Sequence, residues 1–92
     1  MGTVIMANAV VNPFCQIGPS CIINTSSIIE HDCQIAEGVH ISPNASLAGG
    51  VQVGENTWVG LGSQVKQSVC IGPNVVIGAG ATVIKNVKKN QT

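Results

Sequence analysis

Every sixth residue from Ile5 to Val83 is isoleucine, valine or leucine, through fourteen consecutive positions: Ile5, Val11, Ile17, Ile23, Ile29, Ile35, Ile41, Leu47, Val53, Val59, Val65, Ile71, Ile77 and Val83. Four residues after each stands a mostly small residue, running from Ala9, Cys15, Cys21, Ser27 and Cys33 to Ala81 and Val87. A period of six fits neither a helix face nor the simple alternation of an ordinary strand. It is the signature of a parallel β-helix, in which short strands stack coil upon coil. The predicted fold is all-β, a single chain wound into about five triangular coils of hexapeptide repeats. Three hexads return the chain to the same edge, so residue n lies over residue n+18, and the stack is about 22 Å tall at the usual strand spacing.

Indexing by eighteen assigns each hexad to a face. One face carries Ile17, Ile35, Val53 and Ile71; a second carries Ile5, Ile23, Ile41, Val59 and Ile77; the third carries Val11, Ile29, Leu47, Val65 and Val83. Glycines follow the apolar position or sit near corners, for example Gly18, Gly49, Gly54, Gly60 and Gly78, where they are expected to adopt positive φ or admit a close neighbour. Pro13, Pro19, Pro43 and Pro73 all fall two residues after an aliphatic, a place suited to a coil corner. The expected organisation is a lead-in over 1–4, the β-helix domain over 5–88 and a polar tail over 89–92. No insertion interrupts the hexads, so any site must lie on the faces or corners.

Composition narrows the function classes. Formal net charge is zero, which gives no electrostatic case for nucleic acid or an anionic membrane. No apolar run approaches membrane-spanning length, and the start lacks a basic region followed by an apolar stretch, so a cytoplasmic location is expected. The four cysteines show no zinc-motif spacing. Cys15, Cys21 and Cys33 take the small inward position, where reduced thiols fill a narrow core. Cys15 and Cys33 are also stacked neighbours, at a spacing that a disulfide would tolerate.

Chemistry concentrates at two histidines. His31 lies in Ile29-Glu30-His31-Asp32-Cys33, between two of only four acidic residues. A histidine beside a carboxylate is held in one tautomer, the pairing a general base requires. His40 lies nine residues on, with Trp58 stacked over it in the eighteen-residue register. Lys85, Lys88 and Lys89 make the one basic cluster, read as a solvated end.

The run resembles the left-handed β-helix acyltransferases. Ile22-Ile23-Asn24, Ile28-Ile29-Glu30-His31-Asp32, His40-Ile41-Ser42-Pro43, Leu47-Ala48-Gly49-Gly50-Val51 and Ile77-Gly78-Ala79-Gly80-Ala81 are similar to one branch of them. That branch comprises the sialic acid O-acetyltransferases and the N-acetyltransferases of nucleotide-linked amino sugars. The resemblance covers nearly the whole chain, and left-handedness comes from it alone. It implies an acetyl-CoA-dependent enzyme that moves an acetyl group to an amine or hydroxyl of a sugar or nucleotide sugar, without a metal. His31 would be the general base and Asp32 would orient it and make it more basic, with Glu30 a weaker candidate. Asn24 and His40 would line an acetyl-CoA channel between subunits of a homotrimer. Gly49, one coil above His31, would leave room for the thioester and offer an N–H to the developing oxyanion. Leu61 and Ala79 would make backbone contacts along the pantetheine arm.

Members of that branch normally carry an N-terminal α/β domain that holds the nucleotide sugar and a C-terminal extension. Neither is expected in this chain, because the hexads begin at Ile5 with no Gly-rich strand-to-helix turn before them. A catalytically silent, trimerising β-helix module is therefore the alternative reading. A zinc enzyme of the γ-carbonic anhydrase type would need three histidines per site, and the chain has two. An ice-binding surface would show an outward threonine ladder; Thr3, Thr25, Thr57, Thr82 and Thr92 form none.

Overall fold

The computed structural model describes residues 2–92. Fourteen two-residue strands run from Val4–Ile5 to Thr82–Val83 and form three sheets, of five, five and four strands. Every pairing is parallel and offset by eighteen residues: Ile23 opposite Ile41, Ile29 opposite Leu47, Ile35 opposite Val53. Each coil thus visits the three sheets in turn, and the molecule measures 27 × 23 × 22 Å. The faces are those assigned by indexing.

The second residue of each strand points inward. From the second coil onward these side chains are buried, as are the small residues that follow four positions later, including Cys21, Cys33, Val39, Ala45, Val51 and Val75. Two inward rows, one aliphatic and one small, fill the bore. The first residue of each strand faces outward, so each strand shows the two-residue alternation that its length allows.

The inward row of small residues also does polar work. The Cys15, Cys21 and Cys33 thiols donate to the carbonyls of Glu30, Ala36 and Ala48, and Thr57 Oγ1 donates to Gly72 O at 2.7 Å. Each bond runs fifteen residues up the chain, to a corner carbonyl of the next coil. Ser27 and Ser63 instead cap the carbonyl three residues before themselves. No buried side-chain nitrogen or oxygen among the described residues lacks a partner. The cysteines are therefore hydrogen-bond donors to otherwise inaccessible carbonyls as well as small fillers. All four are free, and burial, with the neighbouring Cys15 thiol, pushes Cys33 up to about 11.

The corners follow one plan. Every sixth residue from Asn8 to Asn74, and on to Gly80, has a left-handed backbone, with φ between 56 and 73°. The glycines contribute less to this row than their placement suggested: Gly38, Gly50, Gly62 and Gly80 occupy it, whereas Gly18, Gly49, Gly54, Gly60, Gly72 and Gly78 do not. Several of the latter are required by proximity. A side chain at Gly60 would strike Ile77 O and the Ala79 nitrogen of the next coil. Pro13, Pro19, Pro43 and Pro73 stand just before the left-handed residue, where the ring's fixed φ costs nothing.

Candidate active site

His31 and Asp32 sit at the corner between the strand Ile28–Ile29 of one sheet and Gln34–Ile35 of the next. Asp32 occupies the left-handed row with φ 61°, a conformation aspartate tolerates better than most residues. That turn lets the carboxylate reach back: Asp32 Oδ2 lies 3.0 Å from His31 Nδ1. A carboxylate only accepts, so Nδ1 carries a proton, and in the neutral ring Nε2 is the nitrogen that keeps its lone pair. Both side chains are open to solvent, at 64 and 62% exposure. Glu30 is differently engaged, its Oε1 accepting from Asn12 Nδ2 at 3.2 Å. Asp32, not Glu30, is the histidine's partner. Asn12 was not singled out from the sequence, although the eighteen-residue register places it directly under Glu30.

Gly49 lies one coil above. Its missing side chain is what lets the His31 ring lie there: a β-carbon at Gly49 would fall 2.8 Å from Cε1 and 2.9 Å from Nε2. The carbonyl of His31 accepts from the Gly50 N–H at 3.0 Å. The Gly49 N–H makes no hydrogen bond among the described residues. His31, Asp32 and Gly49 thus form one group.

Asn24, His40, Leu61 and Ala79 form a second group on another face. They line one hollow of about 540 Å³ together with Ser42, Pro43 and Trp58. His40 is in the strand His40–Ile41, and the Trp58 ring stacks over it at 4.3 Å between centroids and 26° between planes. Asn24 Nδ2 lies 3.2 Å from His40 Nε2. If the amide donates, Nε2 is the acceptor and the proton resides on Nδ1. Burial lowers the His40 pKa below its ordinary 6.5, so the ring is neutral at neutral pH. Trp58 Nε1 donates to Ser42 Oγ at 2.9 Å, which fixes the indole over the imidazole. Ser42 had no signal in the sequence beyond its place in His40-Ile41-Ser42-Pro43. The hollow is apolar apart from these few groups, a lining suited to an extended thioester arm with amides along it.

A larger trough, about 680 Å³, follows the outward Gln16, Gln34 and Gln52 of the third sheet and holds neither histidine. Among the described residues no three histidine, cysteine, aspartate or glutamate side chains cluster as metal ligands.

A family model described as bacterial transferase hexapeptide (six repeats) matches residues 50–85. The acetyltransferase domain of PglB from Neisseria gonorrhoeae FA1090, in complex with acetyl coenzyme A, matches with a TM-score of 0.95 and 35% identity, over 96% of this chain and 43% of that one. The chain is a hexapeptide-repeat β-helix that is similar to bacterial transferases of this fold. GDP-perosamine N-acetyltransferase from Caulobacter crescentus, as a histidine-to-alanine variant in complex with CoA and GDP-perosamine, matches with a TM-score of 0.87 and 31% identity, over 97% of this chain and 48% of that one. WeeI from Acinetobacter baumannii AYE matches at 0.79 and 26%, over 97% and 50%. This hexapeptide-repeat chain therefore spans about half the length of the solved relatives it matches. No curated protein matches it.

Proposed function

We propose that this β-helix carries an acetyl-CoA-dependent acetyltransferase site acting on an amine or hydroxyl of a sugar, in nucleotide-linked form, with His31 as general base. One observation carries the reading: the His31 Nδ1 proton is held by Asp32 at 3.0 Å, which leaves Nε2 of the neutral ring as the acceptor, with the ring seated against Gly49 of the next coil. PglB and GDP-perosamine N-acetyltransferase, which share the fold, were solved with acetyl-CoA or with CoA and a nucleotide-linked sugar.

In this reading His31 Nε2 removes the proton from the attacking amine or hydroxyl as its nitrogen or oxygen bonds to the thioester carbon. Asp32 keeps the imidazole oriented and stabilises the imidazolium that forms. The Gly49 N–H donates to the oxygen on which negative charge develops. His31 then returns its proton to the departing thiolate. The acetyl-CoA would contribute the activated thioester. Asn24 and neutral His40 would hydrogen-bond the arm's amides, and Trp58, Leu61 and Ala79 would pack along its apolar parts.

The two groups lie on different edges of the chain, a sheet apart. A single site joining them needs the His31 corner of one copy against the His40 face of another. Head-to-tail contacts of this kind can close into a ring, and we propose that the site lies between subunits of a homotrimer. The test is titration calorimetry with acetyl-CoA, followed by thiol release with amino-sugar nucleotides for the wild type and His31→Ala. Saturable binding with turnover abolished in the variant supports the reading. A well-folded protein that binds no acetyl-CoA overturns it and leaves the structural module.

A further inference from the structure

The left-handed corner row has thirteen members, spaced six apart from Asn8 to Gly80. Twelve are glycine, asparagine, aspartate or serine, the first three being residues that adopt this backbone readily and the last a small polar one. The thirteenth is Phe14, with φ 65°. It is also the most exposed large apolar side chain, at 83%. Neither folding nor turn chemistry accounts for it, since the ring is largely uncovered within the chain and glycine or asparagine would make the corner with less strain.

Its position does account for it. Phe14 is one coil below Asp32, and the Asp32 N–H donates to the carbonyl of Pro13 at 3.2 Å. The phenyl ring therefore occupies the same corner as His31 and Asp32, on the side away from Gly49, with the Asn12–Glu30 pair alongside. On the Gly49 side the coil above closes against the imidazole, within a β-carbon's reach of Cε1 and Nε2. An acceptor whose amine or hydroxyl reaches Nε2 must extend its body the other way, and a pyranose ring is about as wide as the spacing between coils, roughly 4.8 Å. Strained, solvent-exposed residues beside a reacting group are characteristic of binding sites.

We propose that Phe14 is the sugar platform of the acceptor site. Its ring stacks on the C–H face of the acceptor pyranose and sets the sugar's distance from His31. The proposal rests on the reading of His31 as the base that faces this sugar. The nucleobase of a nucleotide-linked acceptor, held off by a diphosphate, does not reach Phe14.

The chain has one phenylalanine and one tryptophan, so each gives its own signal. Selectively labelled Phe14 is followed by NMR while the methyl glycoside of an amino sugar, then GDP, is added at millimolar concentration. Trp58 fluorescence reports acetyl-CoA separately. The expected result is a Phe14 ring signal that shifts with the glycoside and not with GDP, and a glycoside dissociation constant raised about tenfold in Phe14→Asn. Asparagine already serves this row at Asn8, Asn44, Asn56 and Asn74, so the variant should melt no lower than the wild type. A ring unmoved by the glycoside, or moved by GDP alone, overturns the platform. A ring that answers the sugar in a protein whose Trp58 ignores acetyl-CoA upholds the platform and removes the acetyl transfer instead.

Discussion

His31 and His40 are separated by half a coil, and the structure gives them opposite surroundings. His31 stands at a corner, open to solvent, with an aspartate on Nδ1 and Gly49 of the next coil against Cε1 and Nε2. His40 stands on a sheet face, covered by Trp58 and bonded by Asn24, with its pKa lowered by burial. A carboxylate partner orients an imidazole to accept a proton and stabilises the cation that results. An amide partner and an aromatic cover do the reverse, keeping the ring neutral and fixed. The two histidines are thus built for different work: one to move a proton, the other to hold a ligand.

The sharpest way to break that contrast is to remove each ring in turn. His31→Ala should lower kcat about 10³-fold, within the range for general bases, while the thermal midpoint stays put because the side chain is exposed. His40→Ala should not reproduce that loss. Equal losses of kcat in steady-state assays of the two variants would erase the distinction. The next largest effect is at Gly49. Its φ is not in the left-handed region, so alanine fits the backbone; its β-carbon, however, would fall 2.8 Å from His31 Cε1. The ring must swing away, and a displacement of that order is expected to lower kcat about 10²-fold with acetyl-CoA affinity and the melting temperature little changed. Full activity in Gly49→Ala would mean that His31 need not lie against that coil.

A smaller change is expected at the second histidine. His40→Asn keeps a hydrogen-bonding group on the face but loses the stacked ring, so the KM for acetyl-CoA should rise about tenfold while kcat at saturation holds. Initial-rate measurements over an acetyl-CoA series separate the two. A fall in kcat at constant KM would move His40 into the proton-transfer group.

Much of this contrast was legible before the structure. Indexing by eighteen put Gly49 over His31 and Trp58 over His40, and both contacts are present, because the hexad leaves one register between coils. Stacking order along a repeat is a property of the period. What the period does not encode is where side chains swing at the corners. The preference for Asp32 over Glu30 comes from the resemblance alone; the physical reason, Asp32 taking a left-handed backbone while Glu30 turns to Asn12, is not in the spacing. The cysteines read as fillers, yet they also donate to corner carbonyls fifteen residues on, a relation set by turn geometry rather than spacing. Phe14 carries no signal of a role in the sequence, because its oddity lies in its φ and its exposure.

The finest test of the comparison is the pH dependence of stability. In the unfolded chain His40 titrates near its ordinary 6.5, whereas burial lowers its pKa in the folded protein. Between those two values the unfolded chain binds a proton that the folded chain does not. Stability is therefore full above the unfolded pKa and falls as pH drops through 6.5 toward the folded value. Thermal melts at about pH 7.5 and about pH 5.5 should show the wild type losing more stability than His40→Asn. The difference is small because His40 is only partly buried and water still reaches the ring. An identical acid-induced loss in the wild type and His40→Asn would mean that Trp58 and Asn24 do not hold His40 neutral, and the two histidines would differ only in their neighbours.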